Sequence, residues 1–100
     1  MIRHVVMFTF KDFAGGRTKT ENLDLAEEMF SGMYPIIPEI KNLYVGKDIA
    51  LSEGAYDLLL LVDIETPEAL KRYLEHPYHV KVSNFVGSVR DDRRVIDVEL

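Results

Sequence analysis

Between Arg3 and Lys11, His4, Val6, Phe8 and Phe10 recur at period two, and Val5, Met7 and Thr9 fall between them. Period two is the repeat of a β-strand. Both sets of positions are largely apolar, so the strand is expected to be covered on both faces. Asp12 to Gly16, with two glycines, reads as a loop. Thr18-Lys19-Thr20-Glu21 then has the form of a capping box, with Thr18 as the cap and Glu21 reaching back. Leu23, Ala26, Phe30 and Met33 follow at helical spacing, with Glu21, Asp24, Glu27 and Glu28 on the other side, and Pro35 and Pro38 close the helix.

A second strand is expected over Ile40 to Ile49, with Gly46 as a bulge position, then a turn over Leu51 to Gly54 and a third strand over Tyr56 to Ile64. The short polar connection predicts an antiparallel hairpin. Thr66-Pro67-Glu68 opens a second helix: threonine caps, proline fits the first helical position, and glutamate suits the positive end. Ala69, Leu70, Tyr73 and Leu74 form its apolar side. His76 precedes Pro77 and is biased away from helical geometry, so this helix should end there. A further short helix carries Tyr78, Val82, Phe85 and Val86 to Gly87, and Arg94 to Leu100 forms the last strand. The order strand, helix, strand, strand, helix, strand predicts an α+β, ferredoxin-like βαββαβ subunit. It has a four-stranded antiparallel sheet with the helices on one face.

Length adds that residues 1–100 form one small domain, and the 47% hydrophobic content suffices for a core. The chain has no cysteine, which removes disulfides and thiolate metal sites and fits a reducing, cytoplasmic setting. The N-terminal residues lack a signal-peptide pattern, and Leu58 to Val62, the longest apolar run, is too short for a membrane span. A net charge of −5 without a basic stripe argues against nucleic acid. Arg90, Arg93 and Arg94, interleaved with Asp91 and Asp92, read as a solvated turn. Met7, Met29 and Met33 read as core fillers. Three histidines without compact ligand spacing argue against a metal site.

A sheet with one wet face would alternate apolar and polar residues. The third strand is apolar on both sides, and no spare segment remains to cover the second face. The expected solution is a homodimer packed sheet to sheet about a two-fold axis.

The candidate chemistry lies in Tyr73-Leu74-Glu75-His76-Pro77-Tyr78-His79, which holds two of the three histidines and two of the five tyrosines. Histidine suits proton transfer near neutral pH, and a phenol can donate to an oxygen that gains charge. Tyr73, beside Ala69 and Leu70, should face the sheet. If the His4 face of the first strand looks toward the helices, His4, Val6, Phe8, Phe30, Leu58, Leu60, Val62 and Tyr73 should line a mostly apolar pocket. His76 reads as structural.

Together the start Arg3 to Lys11, Ile36-Ile37-Pro38, Tyr44 to Asp48, the His-Pro-x-His element and Val95-Ile96-Asp97 resemble the stress-responsive dimeric α/β-barrel (Dabb) family over nearly the whole chain. The resemblance implies a homodimer whose two sheets form a central barrel. A plant polyketide cyclase of that family works by intramolecular aldol condensation. Its catalytic tyrosine and histidine would fall on Tyr73 and His79, and its strand-one histidine on His4. In that carry-over His79 removes a proton alpha to a carbonyl, Tyr73 donates to the developing oxyanion, and no cofactor or metal is used. The cyclase carries aromatic residues on its first helix where this chain has Ala26 and Glu27, so a smaller or more polar ligand is expected. The alternative is a non-enzymatic stress-responsive structural dimer. A monooxygenase of the same fold ranks third, because tryptophan and an oxygenase motif are lacking.

Overall fold

The computed structural model describes all 100 residues. The alternating first segment forms β1, Ile2–Phe10. A tight hairpin follows, β2 at Phe13–Ala14 and β3 at Arg17–Thr18, turning on Gly15 and Gly16 at φ of 60° and 75°. Positive φ at both central residues is the geometry of a two-residue hairpin turn and favours glycine. The region expected to be a plain loop is therefore a small second sheet. It is tied down by Asn22, which is fully buried and donates to the Ala14 carbonyl at 3.0 Å while accepting from Arg17 at 2.7 Å.

Helix α1 spans Lys19–Ser31, and the capping box forms as expected: Thr18 accepts from the Glu21 amide at 3.2 Å, and Glu21 accepts from the Thr18 amide at 2.9 Å. The helix stops at Gly32, before either proline. A Cβ on Gly32 would lie 2.7 Å from the Tyr78 hydroxyl, so glycine lets α3 approach closely here. Strand β4 runs Asn42–Lys47 and β5 runs Leu58–Ile64, both shorter than their apolar runs suggest. Ile40 turns inward to join the core, and Asp48 leaves the sheet to accept the Leu51 amide at 2.8 Å.

Helix α2 spans Pro67–Glu75 and α3 spans Pro77–Val89, with His76 as the hinge between them. Thr66 caps α2, and the His76 Nδ1 accepts the Tyr78 amide at 3.0 Å to cap α3, so His76 holds a structural place. Strand β6 runs Arg90–Glu99. The solvated turn expected around Arg90 to Arg94 is instead strand. Arg90 caps α3 and enters the ladder directly, and the register shift opposite Thr9 and Phe10 absorbs Asp91 as the extra residue.

The main sheet is antiparallel with order β4-β5-β1-β6, the ferredoxin-like α+β arrangement, and three helices lie on one face. Seventeen buried apolar residues form the core between them. Phe8 stacks on Phe30 with centroids 5.7 Å apart, which fixes α1 over β1.

The opposite face stays open. Val5 pairs with Leu61 and Ile96, Met7 with Leu59, and Leu61 with Tyr44. Met7 is therefore exposed on this face and does not fill the core, whereas Met33 does. Charged clusters bound the apolar stripe. At one end Arg3 grips Asp63 through two bonds of 2.8 and 3.0 Å; at the other Tyr56 donates to Asp92 at 2.5 Å and accepts from Arg94 at 3.1 Å.

Candidate functional site

A cavity of about 340 Å³ opens between the helices and the sheet. Strand β1 supplies His4, Val6 and Phe8, β5 supplies Leu60, and α1 supplies Phe30. The α2–α3 break supplies Leu74 and His79, and α3 adds Ser83, Val86 and Gly87. Arg90 and Arg93 complete the wall from β6. Period two aims His4, Val6 and Phe8 to the same side, which is why one strand contributes three wall residues.

Of the residues singled out from the sequence, His4, Val6, Phe8, Phe30, Leu60 and His79 meet at this cavity. Leu58 and Val62 do not line it. They sit 2% and 0% exposed within the packed core, because the neighbouring helices close over that part of the sheet. Tyr73 lies just behind the wall. Its ring is 4.6 Å from the His79 ring and 6.0 Å from the His4 ring, centroid to centroid. The side chain is fully buried, and its hydroxyl has no protein hydrogen-bond partner. Burial raises the Tyr73 pKa, opposed by the nearby Arg93 charge, so the phenol stays protonated.

His79 has a defined tautomer. Its Nδ1 lies 3.0 Å from the Leu74 carbonyl oxygen, which can only accept, so Nδ1 carries the hydrogen. In the neutral ring Nε2 then holds the lone pair. Burial lowers the His79 pKa against the bond to Leu74, and the charges of His4, Arg93 and His76 add to the lowering. The ring is therefore neutral at pH 7. His4 is held from behind in a similar way: Nδ1 is 2.5 Å from the Asp97 carboxylate, and the ring is only 4% exposed. Asp97 stands opposite His4 in the β1–β6 ladder. That pairing joins residues 93 positions apart and leaves no sequence signal until the register is known.

Six wall residues were missed by sequence reasoning: Leu74, Ser83, Val86, Gly87, Arg90 and Arg93. Leu74 lies in α2 and Ser83, Val86 and Gly87 lie in α3, within stretches that the sequence predicts as helix without showing which face meets the cavity, and Arg90 and Arg93 lie in the segment expected to be a turn. Gly87 bears on the cavity's size. A Cβ placed on it would meet no atom within 4 Å, so its absence widens the cavity wall. Glycine at a helix-interior site costs about 1 kcal/mol relative to alanine, so local propensity does not account for it. No group of three or more His, Asp or Glu side chains converges closely enough to hold a metal ion.

The orphaned hydroxyl gives one prediction. Tyr73→Phe keeps the ring and removes a buried polar atom without a protein partner. The variant is expected to be more stable by about 1 kcal/mol, read as a higher urea midpoint at an unchanged slope. A lower midpoint would mean that the hydroxyl is satisfied in the folded protein.

The family model described as Stress responsive A/B Barrel Domain matches residues 2–100. The chain is 30% identical to olivetolic acid cyclase of Cannabis sativa over 98 residues, covering 96% of this chain and 93% of that protein. It is 27% identical to the stress-response A/B barrel domain-containing protein HS1 of Arabidopsis thaliana, over 96% of this chain and 86% of that one. Among solved structures it is similar to a dimeric ferredoxin-like protein of unknown function from Thermobifida fusca. That likeness has a TM-score of 0.86 and 25% identity, over 99% of this chain and 90% of the other. No helix is long and apolar enough to cross a membrane.

Proposed function

This chain belongs to the stress-responsive A/B barrel (Dabb) family, and from that premise we propose that it is a homodimer that binds a small molecule in each subunit's cavity and acts on it as a cofactor-independent, aldol-type cyclase. The observation that carries this reading is the His79 ring, fixed by Leu74 in the tautomer with Nε2 free, on the wall of an apolar-backed cavity. A neutral imidazole with one free lone pair is a general base suited to neutral pH. His79 takes a proton from the carbon between two carbonyls. The resulting enolate carbon attacks a carbonyl further along the same molecule and forms the new carbon–carbon bond. The attacked oxygen gains the negative charge, receives a hydrogen bond from Tyr73, and takes up the proton that His79 removed, which returns the imidazole to its neutral form.

Tyr73 is assigned the donor role because its phenol stays protonated and lacks a protein partner, so a ligand oxygen would be its first acceptor. The hydroxyl is buried before ligand arrives, and this role requires a small shift of the α2 end around Leu74. His4, oriented by Asp97, faces the ligand from the sheet side and fixes its position. The likeness to olivetolic acid cyclase supports the reaction class and leaves the substrate open.

The test is deuterium exchange from D₂O at the methylene of a 3-oxo thioester, followed by NMR. Wild-type protein is expected to exceed the buffer rate. A rate equal to that of buffer sinks the enzymatic reading and leaves the alternative, a non-enzymatic dimer. That alternative draws on the open sheet face, whose apolar stripe between Arg3–Asp63 and Tyr56–Asp92–Arg94 has the anatomy of an interface. Dimerisation belongs to both readings.

A further inference from the structure

The segment Arg90-Asp91-Asp92-Arg93-Arg94 looks self-neutralising in one dimension. Strand geometry pulls it apart. Arg93 stands opposite Phe8 and points to the helix side, whereas Asp92 and Arg94 stand opposite Thr9 and Met7 on the open face. There Asp92 and Arg94 pair at 3.3 Å and share the Tyr56 hydroxyl. Arg93 is left on the other side of the sheet from its sequence neighbours.

The chain's six arginines divide accordingly. Arg3, Arg72 and Arg94 each reach a carboxylate, on Asp63, Glu39 and Asp92. Arg17 is occupied by Asn22 and by the face of Phe85. Arg90 and Arg93 pair with no carboxylate, in a chain with five more negative than positive charges. Both line the cavity. Arg90 is half-buried and Arg93 exposed, while the sheet residues behind them are at most 5% exposed, so the guanidinium groups stand at the solvent end. Their backbone positions are fixed: the Arg90 amide closes α3 on the Val86 carbonyl, and Arg93 sits within the β1–β6 ladder. The Ser83 hydroxyl lies on the same wall.

We infer that the cavity selects a ligand bearing a carboxylate, which Arg90 and Arg93 hold at the solvent end while the apolar remainder lies against Phe8, Phe30 and Val86. This rests on the small-molecule reading above and narrows its ligand to an acid. Guanidinium suits the role because its planar fork can donate two parallel hydrogen bonds to one carboxylate. His4 lies deeper, at 4% exposed, and His79 stands half-buried on the same wall, so an acid anchored at the arginines would carry its next few carbons past His79 toward His4. The same cations explain how an acidic protein can admit an anion: the field at the cavity end is locally positive although the whole molecule is negative.

The test uses phenylacetate and phenylacetamide, which share shape and differ in charge, titrated into isotopically labelled protein and followed by NMR. Phenylacetate is expected to shift the resonances of Phe8, Phe30 and His79 and to bind at least about tenfold tighter than the amide, less so as salt rises. The double variant Arg90→Gln, Arg93→Gln is expected to erase that preference and leave amide binding unchanged. Gly87→Leu is expected to remove both, because its side chain would enter the cavity. Equal binding of acid and amide, unaltered by the arginine changes, overturns the carboxylate assignment and leaves the cavity as a neutral-ligand site. Acid binding that survives Gly87→Leu overturns it too, by placing the contact elsewhere on the surface. If neither probe moves the cavity resonances, the small-molecule reading fails, and this inference with it.

Discussion

Replacing His79 with alanine is expected to bring methylene exchange down to the buffer rate, a loss of about 10²–10⁴-fold. The size follows from the role. His79 is a neutral ring on the cavity wall whose Nδ1 is bound to a backbone carbonyl, which leaves Nε2 to take the proton, whereas His4, held through Nδ1 by Asp97, is assigned the positioning role. His79→Gln serves as a companion variant, since its side chain can still donate toward Leu74 while lacking the basic nitrogen. Both variants should lose exchange and keep the fold, checked by their amide spectra. Exchange retained in both would move the base to His4.

The pH dependence gives the same assignment an independent readout. Burial, as the largest effect, lowers the His79 pKa below its ordinary 6.5. The active form is the neutral one. Exchange should therefore hold level from neutral pH down past 6.5 and fall only at lower pH. Stability carries the matching sign. As pH falls, the unfolded chain takes up this proton before the folded protein does, so stability is fully present above the unfolded value. It is lost as pH drops through the window down to the folded pKa. His79→Gln should remove that part of the acid slope.

Changing Ile96 to aspartate is expected to turn a dimer into a monomer. Ile96 lies at the edge of the open sheet face, opposite Val5, and is 60% exposed in the single chain. A carboxylate there costs the monomer little, because the position already meets solvent. In a face-to-face dimer the same carboxylate would be buried without a partner, and burying an unpaired charge in an interface costs on the order of several kcal/mol. Light scattering on a size-exclusion column should give twice the chain mass for wild type and the single-chain mass for Ile96→Asp. A wild-type monomer at low micromolar concentration would remove the dimer from the proposal, and a variant that stays dimeric would place the interface on another surface.

The sequence carried the fold because each element announces itself over a few neighbouring residues. Period two in His4 to Phe10, the Thr18–Glu21 capping box, Thr66-Pro67 and the His76-Pro77 break are all local signals, and each became the expected element. The apolar content of Val5, Met7, Leu59 and Leu61 marks the second sheet face in the sequence alone. Errors gathered where a local reading competes with ladder register. Arg90 to Arg94 has the composition of a turn, and only pairing with β1 makes it strand.

The candidate site was half legible. His4, Val6, Phe8, Phe30, Leu60 and His79 follow from period, motif and resemblance, since each faces the helix–sheet space on its own element. Leu58 and Val62 share that face and still miss the cavity, because helix packing and not strand period decides where space is left. Asp97 behind His4, the sealed Tyr73 hydroxyl and the two unpaired arginines have no sequence signature at all. Side-chain direction and helix capping depend on residues within a few positions, so the sequence by itself determined the elements and their apolar faces. Which polar groups meet, and which are left without a partner, depends on contacts across 60 to 93 positions that exist only once β1 lies between β5 and β6.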